Sequence, residues 1–237
     1  MKIFFILLFL CISYGCAETT KKTRYLSNAK TTTNQVVNNN TGCQNSDNQC
    51  LNGKGTYVSS SRRYEGEFTA GKWHGKGILT YPSGEYYDGD FQEGKKQGWG
   101  IYVWINGDRY EGEWQNNQRH GKGKMKYAKG AYYEGMYQND KKHGKGKQSY
   151  TMGGDYEGDF QNGKRHGIGV YRWPSGNHYE GEFKNGNRHG KGTFIFADDA
   201  FRDGRWENDK LSIKKRQEDW TEGDKAEFRA ILDSVLE

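Results

Sequence analysis

The chain has 237 residues and a formal net charge of +6; 32% of it is apolar, and 17 Tyr, 11 Phe and 7 Trp make up nearly half of that apolar set. Leu, Ile, Val and Phe together number only 36, a level that signals disorder when net charge is high, but the charge is modest and 34 glycines stand against two prolines, which favours ordered turns. Only ten Leu, Ile or Val residues fall between Cys43 and Lys210, too few for a conventional globule or a doubly wound enzyme.

The first element is a targeting segment, residues 1–16. Lys2 precedes the apolar run Ile3 to Ile12, which suits a signal peptide and is far shorter than the ~20 residues of a membrane-spanning helix. Ser13-Tyr14-Gly15-Cys16-Ala17 then resembles a relaxed bacterial lipobox in which Cys16 takes the lipid; Tyr14 departs from that pattern. Gly15 and Ala17 also satisfy ordinary cleavage after Ala17, so a lipoprotein and a freely secreted chain both stand open. Residues 17–42, rich in Thr, Asn and Lys, read as a flexible tether with little to bury, and Asn39-Asn40-Thr41 forms a formal glycosylation sequon. Cys43 and Cys50, close in sequence in an exported chain, read as a disulfide closing a short loop at the head of the ordered domain.

From residue 43 to 210 a repeat organises the chain. Tyr64, Tyr87, Tyr110, Tyr133, Tyr156 and Tyr179 stand 23 residues apart without an insertion. Each opens one pattern, such as Tyr64-Glu65-Gly66-Glu67-Phe68 followed by Gly75-Lys76-Gly77, or Tyr179-Glu180-Gly181-Glu182-Phe183 followed by Arg188-His189-Gly190-Lys191-Gly192. A degraded copy appears at Arg202-Asp203-Gly204-Arg205-Trp206, as expected of a terminal repeat that lacks one neighbour.

These residues resemble the MORN repeat family, with Gln97 in place of a His and Met136 in place of the second acid as departures. The resemblance implies an all-β, elongated sheet of consecutive hairpins and implies no catalysis.

The residues support the same architecture. Pairs such as Ala70-Gly71, Glu93-Gly94 and Asn185-Gly186 end in types that tolerate positive φ in two-residue hairpins. That turn places Phe68 opposite Trp73, Glu67 opposite His74, Gly66 opposite Gly75 and Glu65 opposite Lys76. Because 23 is odd, the second connection needs a three-residue loop or bulge to keep the rings on one face, and Gly84, Gly107, Gly130, Gly153 and Gly176 occupy that place. The expected molecule is a curled antiparallel meander, about 60 Å long at ~4.8 Å per strand, with rings lying over glycine backbone.

Residues 211–237 change character. Thr221 is positioned to cap a short C-terminal helix whose stripe is Phe228, Ile231, Leu232, Val235 and Leu236, covering the last sheet edge or meeting a partner.

The columns Glu65, Asp88, Glu111, Glu134, Glu157, Glu180 and His74, His120, His143, His166, His189 contain residue types of catalysis and metal binding. Their even repetition points instead to cross-strand ladders, exemplified by Glu111 with Lys122 and Glu113 with His120, so no catalytic residue, metal site or cofactor is expected. Gly-Lys-Gly lacks the pattern of a phosphate loop. The candidate partner surface is a basic and aromatic stripe: Lys96, Arg119, Lys142, Arg165 and Arg188 opposite Phe91, Trp114, Tyr137, Phe160 and Phe183, with Trp73, Tyr81, Trp104 and Trp173 nearby. The expectation is a noncatalytic exported scaffold, lipid-anchored or secreted, that meets an envelope protein or polymer; the alternative is a module for anionic lipid headgroups or glycans. Nucleic acid fits an exported, weakly basic chain poorly.

Overall fold

A computed structural model of the chain describes residues 35–37 and 50–214, together with residues 221, 223, 226 and 230. Sixteen strands follow in order: β1 (Gln35–Val37), β2 (Gly53–Val58), β3 (Arg63–Thr69), β4 (Lys72–Thr80), β5 (Tyr86–Gln92), β6 (Lys95–Val103), β7 (Arg109–Gln115), β8 (Gln118–Lys126), β9 (Tyr132–Gln138), β10 (Lys141–Ser149), β11 (Asp155–Gln161), β12 (Lys164–Arg172), β13 (His178–Lys184), β14 (Asn187–Ile195), β15 (Phe201–Glu207) and β16 (Lys210–Lys214). Each pairs with the next in a single sheet whose spatial order equals its chain order, the antiparallel meander the repeat implies. Among the described residues, helical backbone occurs at Gly223, Ala226 and Ala230; the apolar stripe from Phe228 to Leu236 lies outside them. So do residues 1–16 with Cys16, most of the stretch read as a tether, and Cys43. Within that tether, however, Gln35–Val37 pairs with Thr56–Val58 as β1. The open edge of β2 offers unpaired backbone groups, and Gln-Val-Val is a good strand former.

Both connections have the geometry the turn residues demand. In the first, both central residues take positive φ, from Ala70 at 48° and Gly71 at 75° to Asn208 at 47° and Asp209 at 68°. In the second, Gly84 N–H donates to the Tyr81 carbonyl at 2.9 Å while Tyr81 N–H donates to the Glu85 carbonyl at 2.9 Å. Gly84, at φ 93°, is therefore the bulge residue of a three-residue loop, and the aromatic side chains stay on one face throughout.

The register inside each hairpin departs from simple pairing. Phe68 faces Trp73 and Glu67 faces His74 as expected, but Gly66 faces Gly77 instead of Gly75, and Glu65 faces Ile78 instead of Lys76. Likewise Glu111 faces Lys124 instead of Lys122. The cause is a two-residue bulge in the second strand at a left-handed glycine: Gly75, Gly98, Gly121, Gly144, Gly167 and Gly190 all have φ between 57° and 69°. This conformation suits glycine because it has no Cβ. The bulge makes β4 nine residues long against seven in β3.

The displaced register is what builds the core. With Gly66 against Gly77, two strands approach bare-backed; a Cβ on Gly66 would lie 2.5 Å from the Gly77 Cα. The Tyr64 ring lies over this glycine pair and is completely buried, as are Tyr87, Tyr110, Tyr133, Tyr156 and Tyr179. Each hydroxyl donates to the backbone carbonyl three residues on, from Tyr64 to Glu67 at 2.8 Å through Tyr179 to Glu182 at 3.1 Å. Burial of a tyrosine thus leaves no unpaired hydroxyl in these six positions. Edge-to-face contacts then run without a break along the array: Tyr64 meets Phe68 at 5.2 Å and Phe91 at 5.0 Å, Tyr87 meets Phe91 at 5.1 Å and Trp114 at 5.3 Å, and so on to Tyr179 with Trp206 at 5.3 Å. At ~25 cal/mol per Å² of apolar area, each buried ring contributes a few kcal/mol, so a single layer of strands holds itself together.

The opposite face carries ion pairs. Lys124–Glu134 (2.6 Å), Lys147–Glu157 (3.1 Å) and Arg109–Glu111 (2.6 Å) replace the Glu-to-Gly-Lys-Gly ladder expected from simple pairing.

Candidate interaction face

The candidate partner residues Trp73, Tyr81, Lys96, Trp104, Arg119, Lys142, Arg165, Trp173 and Arg188 all gather on the ring face. The turn residues place each cation beside the first connection, and the register opposite Phe91, Trp114, Tyr137, Phe160 and Phe183 is as expected. The recorded cation–π contacts run mainly to different rings. Lys96 Nζ stands 4.2 Å from the Trp114 ring and 4.6 Å from Tyr102; Arg119 lies 5.2 Å from Tyr137; Lys142 lies 4.7 Å from Tyr133; Arg165 lies 5.2 Å from Phe183; and Arg188 lies 4.4 Å from Trp206. Most of these cations reach across to the next repeat's aromatic and so tie neighbouring hairpins together. Trp73 takes this position in the first complete repeat, where it stacks on Tyr64 at 4.7 Å and 14°.

Hydrogen bonds strengthen the tie. Arg119 Nε and backbone N–H both donate to Asp140 Oδ1 at 3.0 Å, while Nη2 donates to the Asp140 carbonyl at 3.0 Å. Arg188 makes the same three bonds to Asp209, and Arg165 Nη2 donates to the Gly186 carbonyl at 2.6 Å. Lys142 Nζ donates to Gln148 Oε1 at 2.7 Å. In return the carbonyl of each cation accepts the N–H of the next turn, as Arg119 does from Asp140 at 3.0 Å. Sequence reasoning missed Asp140, Asp209 and Gln148 as partners. The readable signal is an acid 21 residues after an arginine, seated in the next turn.

Burial sets the proton chemistry of this face. It pushes the Lys96 ammonium down to about 8; Asp140 opposes the fall and Arg119 adds to it. Burial also lowers Lys142 to about 8, again helped by Arg119. The phenols of the six core tyrosines, and of Tyr102 and Tyr137, are raised well above their ordinary value, first by burial. Tyr137 stands where other repeats have Phe or Trp, and its buried hydroxyl has no hydrogen-bond partner among the described residues.

Beyond the core tyrosines runs an outer row of half-buried rings: Tyr81, Trp104, Tyr127, Tyr150 and Trp173. Local contacts such as Tyr102–Trp104 at 4.5 Å and Tyr171–Trp173 at 4.6 Å hold these rings in place. This row offers fixed, partly wet aromatic faces suited to stacking and apolar contact.

The second acidic column is structural. Asp90, Glu113, Asp159 and Glu182 fold back over the left-handed glycine and accept the N–H of the next residue, at 3.0 Å from Trp99, 2.8 Å from Lys122, 3.0 Å from Ile168 and 2.7 Å from Lys191. The expected Glu113–His120 pair gives way to this bond because the bulge turns the Lys122 amide toward the carboxylate. Among the described residues no group of three or more His, Cys, Asp or Glu is placed to hold a metal ion. Cys50 is buried at the head of the sheet.

No curated protein matches this chain. Among solved structures, the TCP domain of Drosophila melanogaster SAS-4 (dCPAP), in complex with a proline-rich motif of Ana2 (dSTIL), shares 9% identity, with a TM-score of 0.40 over 70% of this chain and 90% of that one. The wild-type TCP10 domain of Danio rerio CPAP, in complex with a STIL peptide, shares 9% identity, with a TM-score of 0.32 over 70% and 83%. The E1021V mutant of that TCP10 domain shares 12%, with a TM-score of 0.33 over 74% and 93%. Such scores carry no argument about this chain. The family match does: MORN repeats are found at residues 64–86, 87–109, 110–132, 133–155, 156–178 and 179–200, in phase with the strands, and the chain belongs to the MORN repeat family.

Proposed function

We propose that the chain is a noncatalytic scaffold of the cell envelope, exported by residues 1–16, anchored through a lipid on Cys16, and binding an envelope protein or polymer along its ring face. The supporting observation is the outer row of rings. The core tyrosines already fill the space over the glycines, so Tyr81, Trp104, Tyr127, Tyr150 and Trp173 remain half-open at one position of successive repeats. Rigid, amphipathic rings of this kind dominate protein interfaces because they bury area with little loss of side-chain freedom. Capture from the native envelope by the intact chain, beside the Trp104→Ser/Trp173→Ser variant, tests the reading. One partner retained by the native chain and lost by the variant supports it; equal capture by both sinks it. Mass measurement of the amino terminus decides the anchor, since an acylated Cys16 upholds it and a terminus at Glu18 removes it. Thiol alkylation before and after reduction tests the proposed Cys43–Cys50 disulfide.

A second reading, recognition of anionic lipid headgroups or glycans, draws on the cations beside these rings. Arg119 and Arg188 are poor probes of it because each holds the next turn. Lys96→Gln and Lys142→Gln are cleaner. Salt-sensitive binding to anionic vesicles or an acidic glycan that both substitutions weaken would favour this reading over a protein partner.

A further inference from the structure

The other face of the sheet carries a patch that the repeat does not require. The row containing the lysine of Gly-Lys-Gly and the second acid pairs opposite charges in two steps, Lys76–Asp90 at 2.6 Å and Lys145–Asp159 at 3.7 Å, and later sets Ile168 against Glu182 and Lys191 against Arg205. In the middle of the array two members of this row are apolar and exposed: Trp99 at 47% and Met136 at 37%. They belong to one continuous line. Trp99 faces Glu113, the Lys122 amide donates to the Glu113 carboxylate, and Lys122 faces Met136. Three strand spacings of ~4.8 Å put the two apolar groups about 14 Å apart.

Both residues border one depression of about 650 Å³ whose lining also holds four lysines (122, 124, 126 and 145) against Glu111 and Glu134. Those two glutamates already pair with Arg109 and Lys124, both at 2.6 Å. Lys122 and Lys126 make no ion pair among the described residues, and the aligned acid that would face Lys122 is Met136. The result is two apolar anchors with Glu113 and Lys122 between them and Lys124, Lys126 and Lys145 beside them.

The chain itself contains a segment of complementary chemistry. Residues 217–237 hold seven acids (218, 219, 222, 224, 227, 233 and 237) against Lys225 and Arg229. Phe228, Ile231, Leu232 and Val235 recur at helical spacing, and at 1.5 Å per residue that stripe is roughly 10 Å long, comparable with the distance between Trp99 and Met136. Met136 on β9 lies seven strands from β16, a span of about 34 Å, and Trp99 on β6 lies ten strands away, about 48 Å. A segment starting after Lys214 would reach the nearer anchor only with its linker fully drawn out, and a second copy meets no such limit.

We propose that the patch around Trp99, Lys122 and Met136 receives the acidic carboxyl-terminal segment, residues 217–237, of a second copy of the chain. One donor segment and one acceptor patch per chain give a head-to-tail contact, which extends into a row of copies or closes into a ring. The contact uses the face opposite the outer rings and is independent of the partner proposed for them.

Analytical ultracentrifugation of residues 17–237, which leaves out the proposed anchor Cys16, tests it. Self-association that rises with concentration and weakens in salt is expected. Trp99→Lys and Met136→Glu each restore the residue type of other repeats and should weaken association at least tenfold, with melting temperature unchanged or raised; Ile168→Lys, at the same position in a later repeat, should leave it unchanged. A synthetic peptide of residues 217–237 should bind a chain ending at Lys214, and that binding should fall with the same two substitutions. A chain monomeric at every concentration, association indifferent to both substitutions, or a peptide bound equally by native and substituted chains would each overturn the proposal. Ring-face variants at Trp104 and Trp173 should leave association intact, so failure of this contact and failure of the ring-face reading are read separately.

Discussion

The two faces of this sheet are made by the same strands, yet they tolerate very different amounts of sequence change. On the ring face Tyr64, Tyr87, Tyr110, Tyr133, Tyr156 and Tyr179 recur unaltered above paired glycines. On the charged face one repeat position reads Ile78, Ile101, Lys124, Lys147, Val170 and Thr193. The difference teaches where constraint comes from. A ring pressed onto bare backbone has one solution, because any added atom collides, whereas at the charged-face position, where Val170 is buried and the other five side chains are at least partly exposed, residues need mainly avoid repelling each other. The freedom of the charged face is also what makes Trp99 and Met136 informative, since nothing in the packing asks for them.

The comparison is broken most severely by filling the space under a tyrosine. A Cβ on Gly123 would lie 2.5 Å and 2.6 Å from atoms of the Tyr110 ring, so Gly123→Ala should cost about 3 kcal/mol or more, read as a lower urea midpoint. Alkaline pH attacks the same face without mutation. Unfolded tyrosines ionise near pH 10, while the buried ones hold their protons to much higher pH. Above about pH 10 the native state binds more protons, and stability should fall as pH rises. Lys96 and Lys142 act in the opposite sense. Their native values of about 8 lie below the ordinary 10.5, so between about pH 8 and 10 the unfolded chain binds more protons and stability should rise slightly. Thermal melts from pH 7 to 12 should therefore show a shallow maximum before the collapse; a steady decline from pH 8 would contradict the buried lysines.

A smaller effect sharpens the contrast from within the core. Tyr137→Phe removes a buried hydroxyl with no partner among the described residues and keeps the ring, so stability should rise by about 1 kcal/mol in denaturant melts. Tyr133→Phe should lose a similar amount, because that hydroxyl donates to the Met136 carbonyl at 2.8 Å. Smallest of all, Glu134→Gln on the charged face should change stability by less than ~0.5 kcal/mol, since its pair with Lys124 is largely exposed.

Much of the fold was legible in residue order. The 23-residue spacing gave the hairpin count, paired turn residues gave both connections, and the alternation of rings with acids gave the two faces. The candidate face was legible as membership: Lys96, Arg119, Lys142, Arg165, Arg188 and the outer rings do lie together. Its contacts were not, because a cation's ring and hydrogen-bond partners belong largely to the next hairpin. Arg119 with Asp140 and Lys96 with Trp114 depend on how one turn lies beside another. The ladder from the first acid to Gly-Lys-Gly failed as a pairing for a different reason, while Glu67 does face His74 before the bulge. A left-handed glycine at Gly75 and its counterparts moves the register by two residues, and a glycine in a strand pattern does not announce its φ.

By itself, then, the sequence determined the repeat, the alternation and the turns, because period and positive-φ residue types act through local backbone sterics. Only the tertiary structure decided that Gly66 meets Gly77, that the tyrosine hydroxyl satisfies a carbonyl at the bulge, and that cations link hairpins rather than stand free. These outcomes depend on close approach between strands, where a few ångströms of displaced register decide which atoms touch and which collide.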